Sequence, residues 1–355
     1  MSHCHKCVIN RPYHASKSKF DGLYPVKYLM KFLENSMKIL KPTLISLALS
    51  SLIAPSVASA DDNWVDVYGK VMLTLDHVDE DNADDQWELN SNATRFGVKG
   101  FGDSGIDGVE VFYTMEWAVD ITDESKEKNI SSRNQYVGLR GGFGEILAGR
   151  SDTPTKTMVK KIDLFNDFQM EFKNSFNGEK RMSDIIQYTT PKMGGFKAVI
   201  ALVPGEETGA NDGLADGTSI ALEYKAGDFT FGASFDDGIE GENVELARAM
   251  VRFNNDNWQV GLMYQDTDNN GITADGLVFS TRYNMDKHSL KLQLVESDVW
   301  QAGVSSSVKY TSQQILGWDY KASKKTTFVS YLSFSEDGVN GDKDNVVGVG
   351  IVQKF

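Results

Sequence analysis

Cysteine is almost absent from this chain of 355 residues: Cys4 and Cys7 are the only two, both within the first 60. That excludes a disulfide scaffold and a four-cysteine zinc fold. Proline is scarce, seven in all, and only Pro154, Pro191 and Pro204 lie beyond residue 60. Bases are outnumbered, 36 Lys and Arg against 50 Asp and Glu, a formal net charge of −14. The deficit argues against nucleic acid as a partner, because a phosphate-binding surface needs the opposite excess. Long apolar runs are missing too. Beyond residue 61 none approaches the ~18 residues of a spanning helix.

What is present is unevenly placed. The first 60 residues hold eight of the bases and two of the acids, so residues 61–355 carry a net charge of −20. Met37 opens a basic stretch with Lys38 and Lys41, and an apolar run follows from Leu44 to Val57. Ala58-Ser59-Ala60 then forms a small-x-small cleavage site. Residues 37–60 read as a signal peptide, and 61–355 as one β domain. A signal peptide works from the N-terminus, so residues 1–36 read as an upstream extension from a mis-assigned start. Cys4-His5-Lys6-Cys7 within it is a zinc half-site without a second pair.

The periodicity after residue 61 is two. Val65, Val67, Val71, Leu73 and Leu75 alternate with Asp66, Lys70, Thr74 and Asp76. Val111, Tyr113, Met115 and Trp117 alternate with Glu110, Thr114 and Glu116. Sheets wet on one side and apolar on the other give this pattern. Sixteen such runs can be counted, joined by short connections such as Gly141-Gly142 alternating with long ones such as 151–180 and 266–274. All three prolines beyond residue 60 fall in connections, as central strands require. A soluble sandwich would also alternate, but tight turns on one rim and long loops on the other belong to an up-and-down barrel spanning a membrane. The expected fold is all-β: a sixteen-stranded antiparallel up-and-down transmembrane barrel.

The last run ends in Phe355, with Val347, Val349, Ile351 and Phe355 on one face. It resembles the terminal signature of outer-membrane barrels, which the barrel-assembly machinery reads. Val67-Tyr68-Gly69-Lys70, Thr94 through Gly100, Tyr136-Val137-Gly138-Leu139, Asp152-Thr153-Pro154 and Asp163-Leu164-Phe165 occur in an order that resembles the general diffusion porins of Gram-negative bacteria. The resemblance implies a homotrimer in the outer membrane, in contact with lipid and lipopolysaccharide, passing small hydrophilic solutes without a cofactor. It also implies that the third long loop, here 151–180, folds into the lumen. About 30 residues exceed the ordinary loop ceiling of ~12–15, and the loop's apolar residues favour packing.

In that family arginines on the wall face acids on this loop. Arg95, Arg133 and Arg181, with Lys99, are the expected basic wall; Asp163, Asp167 and Glu171 are the expected loop acids. The enteric Pro-Glu-Phe-Gly-Gly loop tip is absent, and Lys156, Lys160, Lys161 and Lys173 add cations instead. Acids crowd the long-loop segments, which favours weak cation selectivity.

Other matches are discounted. Gly100 to Gly105 fits a dinucleotide pattern, but a strand follows where a helix is needed. Asp266, Asp268 and Asn270 match half a calcium loop whose twelfth position is Leu277. No other metal site is expected. His77 and His288 fall on opposite rims and no GxSxG occurs, so catalysis is not expected. The rival readings are a substrate-selective porin with an aromatic track for oligosaccharides, and a plugged surface adhesin or structural barrel.

Overall fold

The computed structural model describes residues 64–81, 83–122, 129–205 and 213–355, together with Lys31. The expected signal peptide, residues 37–60, and the rest of the upstream segment apart from Lys31 lie outside the described residues. Sixteen antiparallel strands close one barrel. They are β1 (Trp64–Glu80), β2 in two halves (Gln86–Ser91 and Arg95–Asp103), β3 (Val109–Val119), β4 (Ile130–Gly141) and β5 (Gly144–Asp152). The wall continues with β6 (Arg181–Thr189), β7 (Phe196–Val203), β8 (Gly217–Ala226), β9 (Phe229–Asp237), β10 (Val244–Asn254) and β11 (Trp258–Asn269). It ends with β12 (Ile272–Met285), β13 (His288–Ser297), β14 (Tyr310–Lys321), β15 (Thr326–Asp337) and β16 (Lys343–Lys354).

Both halves of β2 pair with β1. Thr94 bridges the break between them: its hydroxyl accepts from the Met72 N–H at 3.0 Å and donates to the Met72 carbonyl at 3.1 Å. Closure comes from β1 and β16, in register from Lys70↔Lys354 to Glu80↔Asp344. Phe355 donates to the Gly69 carbonyl at 3.1 Å, which places the C-terminal aromatic beside the start of the first strand.

The barrel inverts the usual arrangement of a soluble protein. Val65, Val67, Leu316, Leu332, Val347 and Val349 are exposed on one face. Gln265, Gln293 and Gln313, on the opposite face, are fully buried. An outward apolar face flanked by Trp258–Tyr283 and Trp318–Tyr320 ring pairs is what a bilayer selects.

One expected long connection is absent. The 266–274 segment is a two-residue hairpin, because Asn270 (φ +52°) and Gly271 (φ +86°) supply the two left-handed positions of a tight turn. Asn269 pairs directly with Ile272, so both strands run to the turn. Asp268 accepts the Gly271 N–H at 2.7 Å, closing the turn rather than opening a calcium loop. Asp266 lies across from Asp275 in the ladder. Among the described residues, no group of three His, Cys, Asp or Glu is placed to hold a metal.

The connection between β5 and β6 packs as a small core of its own. Thr153 caps a short helix, α1 (Pro154–Val159), with proline at its start, and a single 3-10 turn spans Phe172–Asn174. Phe165, Phe172 and Phe176 are at most 1% exposed, each burial stabilising by roughly 1.5–3 kcal/mol. All are seated on the wall face opposite the apolar one. The wall receives them at glycines: a Cβ at Gly317 would lie 2.7 Å from Phe165, and one at Gly276 2.7 Å from Phe176. Polar ties fix the register. The Leu164 N–H donates to Gln293 at 2.9 Å, the Ser175 hydroxyl to Gln313 at 3.0 Å, and the Thr155 hydroxyl to Asp236 at 2.5 Å. Fully buried Arg248 grips the loop's end, 2.7 Å from Glu179.

Candidate functional site

The loop's charged side chains face the wall along β1 to β6. Asp167 reaches Lys70 of β1 at 2.7 Å and Arg95 of β2 at 3.1 Å. Arg95 also lies 3.5 Å from Glu116 of β3, which accepts from Arg133 of β4 at 2.6 Å and from the Tyr68 hydroxyl at 3.1 Å. Arg181 of β6 lies 2.8 Å from Asp152 and donates to Asn134 at 2.7 Å. Lys156 of the loop's helix shares that aspartate at 3.3 Å. Glu171 is paired with Lys173 and accepts from the Asp167 N–H at 3.3 Å.

A backbone irregularity aims two of these side chains. Below it, alternation along β4 puts exposed Val137 on the apolar face and Arg140 on the polar one. Strict continuation would turn Arg133 outward. The register instead slips between Met115 and Trp117, so that Arg133 and Asn134 together oppose Glu116. The extra residue resets the alternation, a frequent use of bulges beside functional sites.

The side chains surround a space of about 370 Å³ between loop and wall, lined by Arg95, Arg133, Arg181, Asp167, Glu171 and Glu179 among others. Its charged lining comprises six bases (with Lys156, Lys160 and Lys173) and four acids (with Asp152), a local charge of +2. Burial works against ionising Asp167, but the Lys70 and Arg95 cations outweigh it and hold its carboxyl well below the usual range. Glu179 is pushed upward because its burial outweighs the Arg248 charge.

Five of the seven expected residues therefore come together: Arg95, Arg133, Arg181, Asp167 and Glu171. Asp163 does not. It is buried beneath the loop, accepting from Gln293 at 3.1 Å and from the Phe165 N–H at 3.0 Å. Burial, reinforced by Glu171, raises its pKa to about 8. A carboxyl among phenylalanines serves loop packing rather than a water-filled face. Lys99 lies elsewhere as well, across the ladder from Asp66 and 3.5 Å from it, four residues nearer the short-turn rim than Arg95. Sequence reasoning missed Lys70, Glu116 and Asp152. Lys70 and Glu116 were on the polar face of their runs, so alternation alone nominated them; Asp152 depended on the loop's entry angle.

The acidic segments are less free than their composition suggests. Asp236 bonds Thr155, Glu240 lies 3.1 Å from Lys180, and Asp344 lies 2.9 Å from Lys309. The two histidines sit at opposite rims, each against aromatic rings: His77 on Trp87, and His288 on Trp318 and Tyr320.

The sequence profile of a family described as Gram-negative porin matches residues 46–355. The chain is 21% identical to the major outer membrane protein P.IB of Neisseria gonorrhoeae, over 86% of this chain and 96% of that one. It is 23% identical to a monosaccharide porin of a Halomonas species, over 73% and 72% respectively. The solved anion-selective porin from Comamonas acidovorans superposes with a TM-score of 0.70 at 21% identity, covering 83% of this chain and 100% of that one.

Proposed function

The chain belongs to the Gram-negative porin family, an integral β-barrel of the outer membrane, and on that footing we propose that it passes ions and small hydrophilic solutes by passive diffusion through a lumen narrowed by its third loop. The observation that carries this reading is the charged space between loop and wall. It is polar, accessible and flanked by both signs of charge, as a filter for hydrated solutes needs.

Selectivity follows from two opposed fields. The long-loop rim is acidic, whereas the lining of the narrow space is +2. Rim charges act across a wide mouth and are screened first, because the Debye length falls from ~30 Å at 0.01 M to ~3 Å at 1 M salt. Charges at the narrow space lie closer to a passing ion and persist longer. The reading is weak cation preference at low salt that declines to parity or slight anion preference at high salt. The anion-selective relative supports the second half of that statement.

Three copies assemble in this reading, and half-exposed Phe355, at the seam of the barrel, is presented to the assembly machinery. The acidic rim faces outward toward lipopolysaccharide. Liposome swelling with small sugars tests the open lumen: swelling supports it, and its absence leaves a plugged structural barrel.

A further inference from the structure

Toward the short-turn rim the polar face of β1 to β4 carries aromatic rings that the narrow space does not use. Trp64 and Phe101 are cross-strand partners with ring centroids 5.8 Å apart, and Phe112 meets Tyr136 at 6.2 Å. Tyr68 joins them. Cross-strand pairing of Asp66 with Lys99 and of Glu110 with Arg140 places these charges on the same face. Two glycines let the rings lie against the wall. A Cβ at Gly97, opposite Tyr68, would fall 2.8 Å from its ring, and one at Gly138, opposite Phe112, 2.5 Å from that ring.

Each cation lies over two rings and beside one carboxylate. The Lys99 ammonium is 5.1 Å from the Tyr68 ring centre and 5.8 Å from that of Trp64; Asp66 is 3.5 Å away. The Arg140 guanidinium is 5.2 Å from Phe101 and 5.7 Å from Phe112, with Glu110 at 2.8 Å. All four charged side chains are more than a third exposed. Phe101, Glu110 and Arg140 open onto a space of about 1180 Å³ shared with Lys197 and Thr189.

We propose that this wall is a docking site for a neutral saccharide on its way through the lumen. Around the rings the charges are matched one to one, and the wider lining of the space holds three bases and four acids, a near-neutral balance that favours no simple anion. Carboxylates accept from hydroxyls, and the ammonium and guanidinium donate to them. The rings offer apolar surface to the C–H face of a pyranose. An apolar patch maintained inside a wet channel, with a few converging polar groups, has the composition of a ligand site. The proposal rests on the open-channel reading above.

Single-channel recording of the full chain in KCl, with glucose or maltotriose added on the short-turn side, tests it. Saturable, concentration-dependent blockade is expected. Trp64→Leu and Phe101→Leu should each weaken it roughly two- to tenfold with KCl conductance unchanged, and Phe101→Tyr should retain it. Normal KCl conductance with only a linear, viscosity-like effect of sugar would overturn the site. So would blockade of wild-type strength in both leucine variants, or tighter blockade by glucose 6-phosphate than by glucose. Absence of any KCl conductance would instead overturn the channel reading on which the site rests.

Discussion

Replacing Asp167 by asparagine isolates the charge of the loop tip. Asp167 has φ +74°, a left-handed conformation that asparagine accepts as readily as aspartate. The amide oxygen can still accept from Lys70 and Arg95, now 2.7 and 3.1 Å from the carboxylate. Because those cations keep Asp167 ionised at neutral pH, the substitution removes a full charge and takes the lining from +2 to +3. An ion passing about 5 Å away would feel about 0.8 kcal/mol at the dielectric of water. Screening at 0.1 M, with a Debye length of ~10 Å, leaves about 0.5 kcal/mol, against a cation and in favour of an anion, so the permeability ratio shifts roughly fivefold toward anions. At 1 M the shift shrinks to roughly 1.7-fold. Reversal potentials of wild type and variant in matched salt gradients measure both. An unchanged potential at 0.1 M, or an equal shift at 1 M, would refute the reasoning.

Further predictions concern the wall, the loop and their packing. Arg133→Glu reverses a base that lines the narrow space and should shift reversal potentials toward cations, while Lys99→Glu, four residues nearer the short-turn rim than Arg95, should shift them less. Gly317→Val places side-chain atoms where the Phe165 ring now lies; overpacking of about 1–3 kcal/mol should loosen the loop and give larger, noisier single-channel currents. Asp163, with its pKa raised to about 8, is neutral beneath the loop at pH 7. Because the folded value exceeds the unfolded one, its stabilising contribution is complete below about pH 4 and is lost as pH rises through 8. Open-channel current noise recorded between pH 6 and 9 should therefore increase in wild type and stay level in Asp163→Asn.

The strands were legible because an apolar position every second residue leaves little choice of face, and the tight turns punctuated them. The wall arginines were legible in part. Arg95 followed from its neighbours Phe96 and Val98, whereas Arg133 depends on a bulge that no alternation rule reveals. Asn270-Gly271 was an available hairpin signal obscured by the acids around it, and reading those acids as a loop cost the correct strand ends. Asp163 looked like Asp167 in sequence. Their fates diverge because one neighbours Phe165 under the loop and the other meets Lys70 and Arg95 across a gap between elements. Such distinctions are tertiary, set by which wall glycines receive which rings.

The central claim is that ions cross a narrow space whose basic lining opposes an acidic rim. The most direct test is the reversal potential of the wild-type channel in KCl gradients centred near 0.01 M and near 1 M. The account predicts discrete conductance steps, with a cation-over-anion permeability ratio above one at low salt that falls to one or below at high salt. A ratio that holds constant across that range, or a membrane that shows no conductance steps, would contradict it.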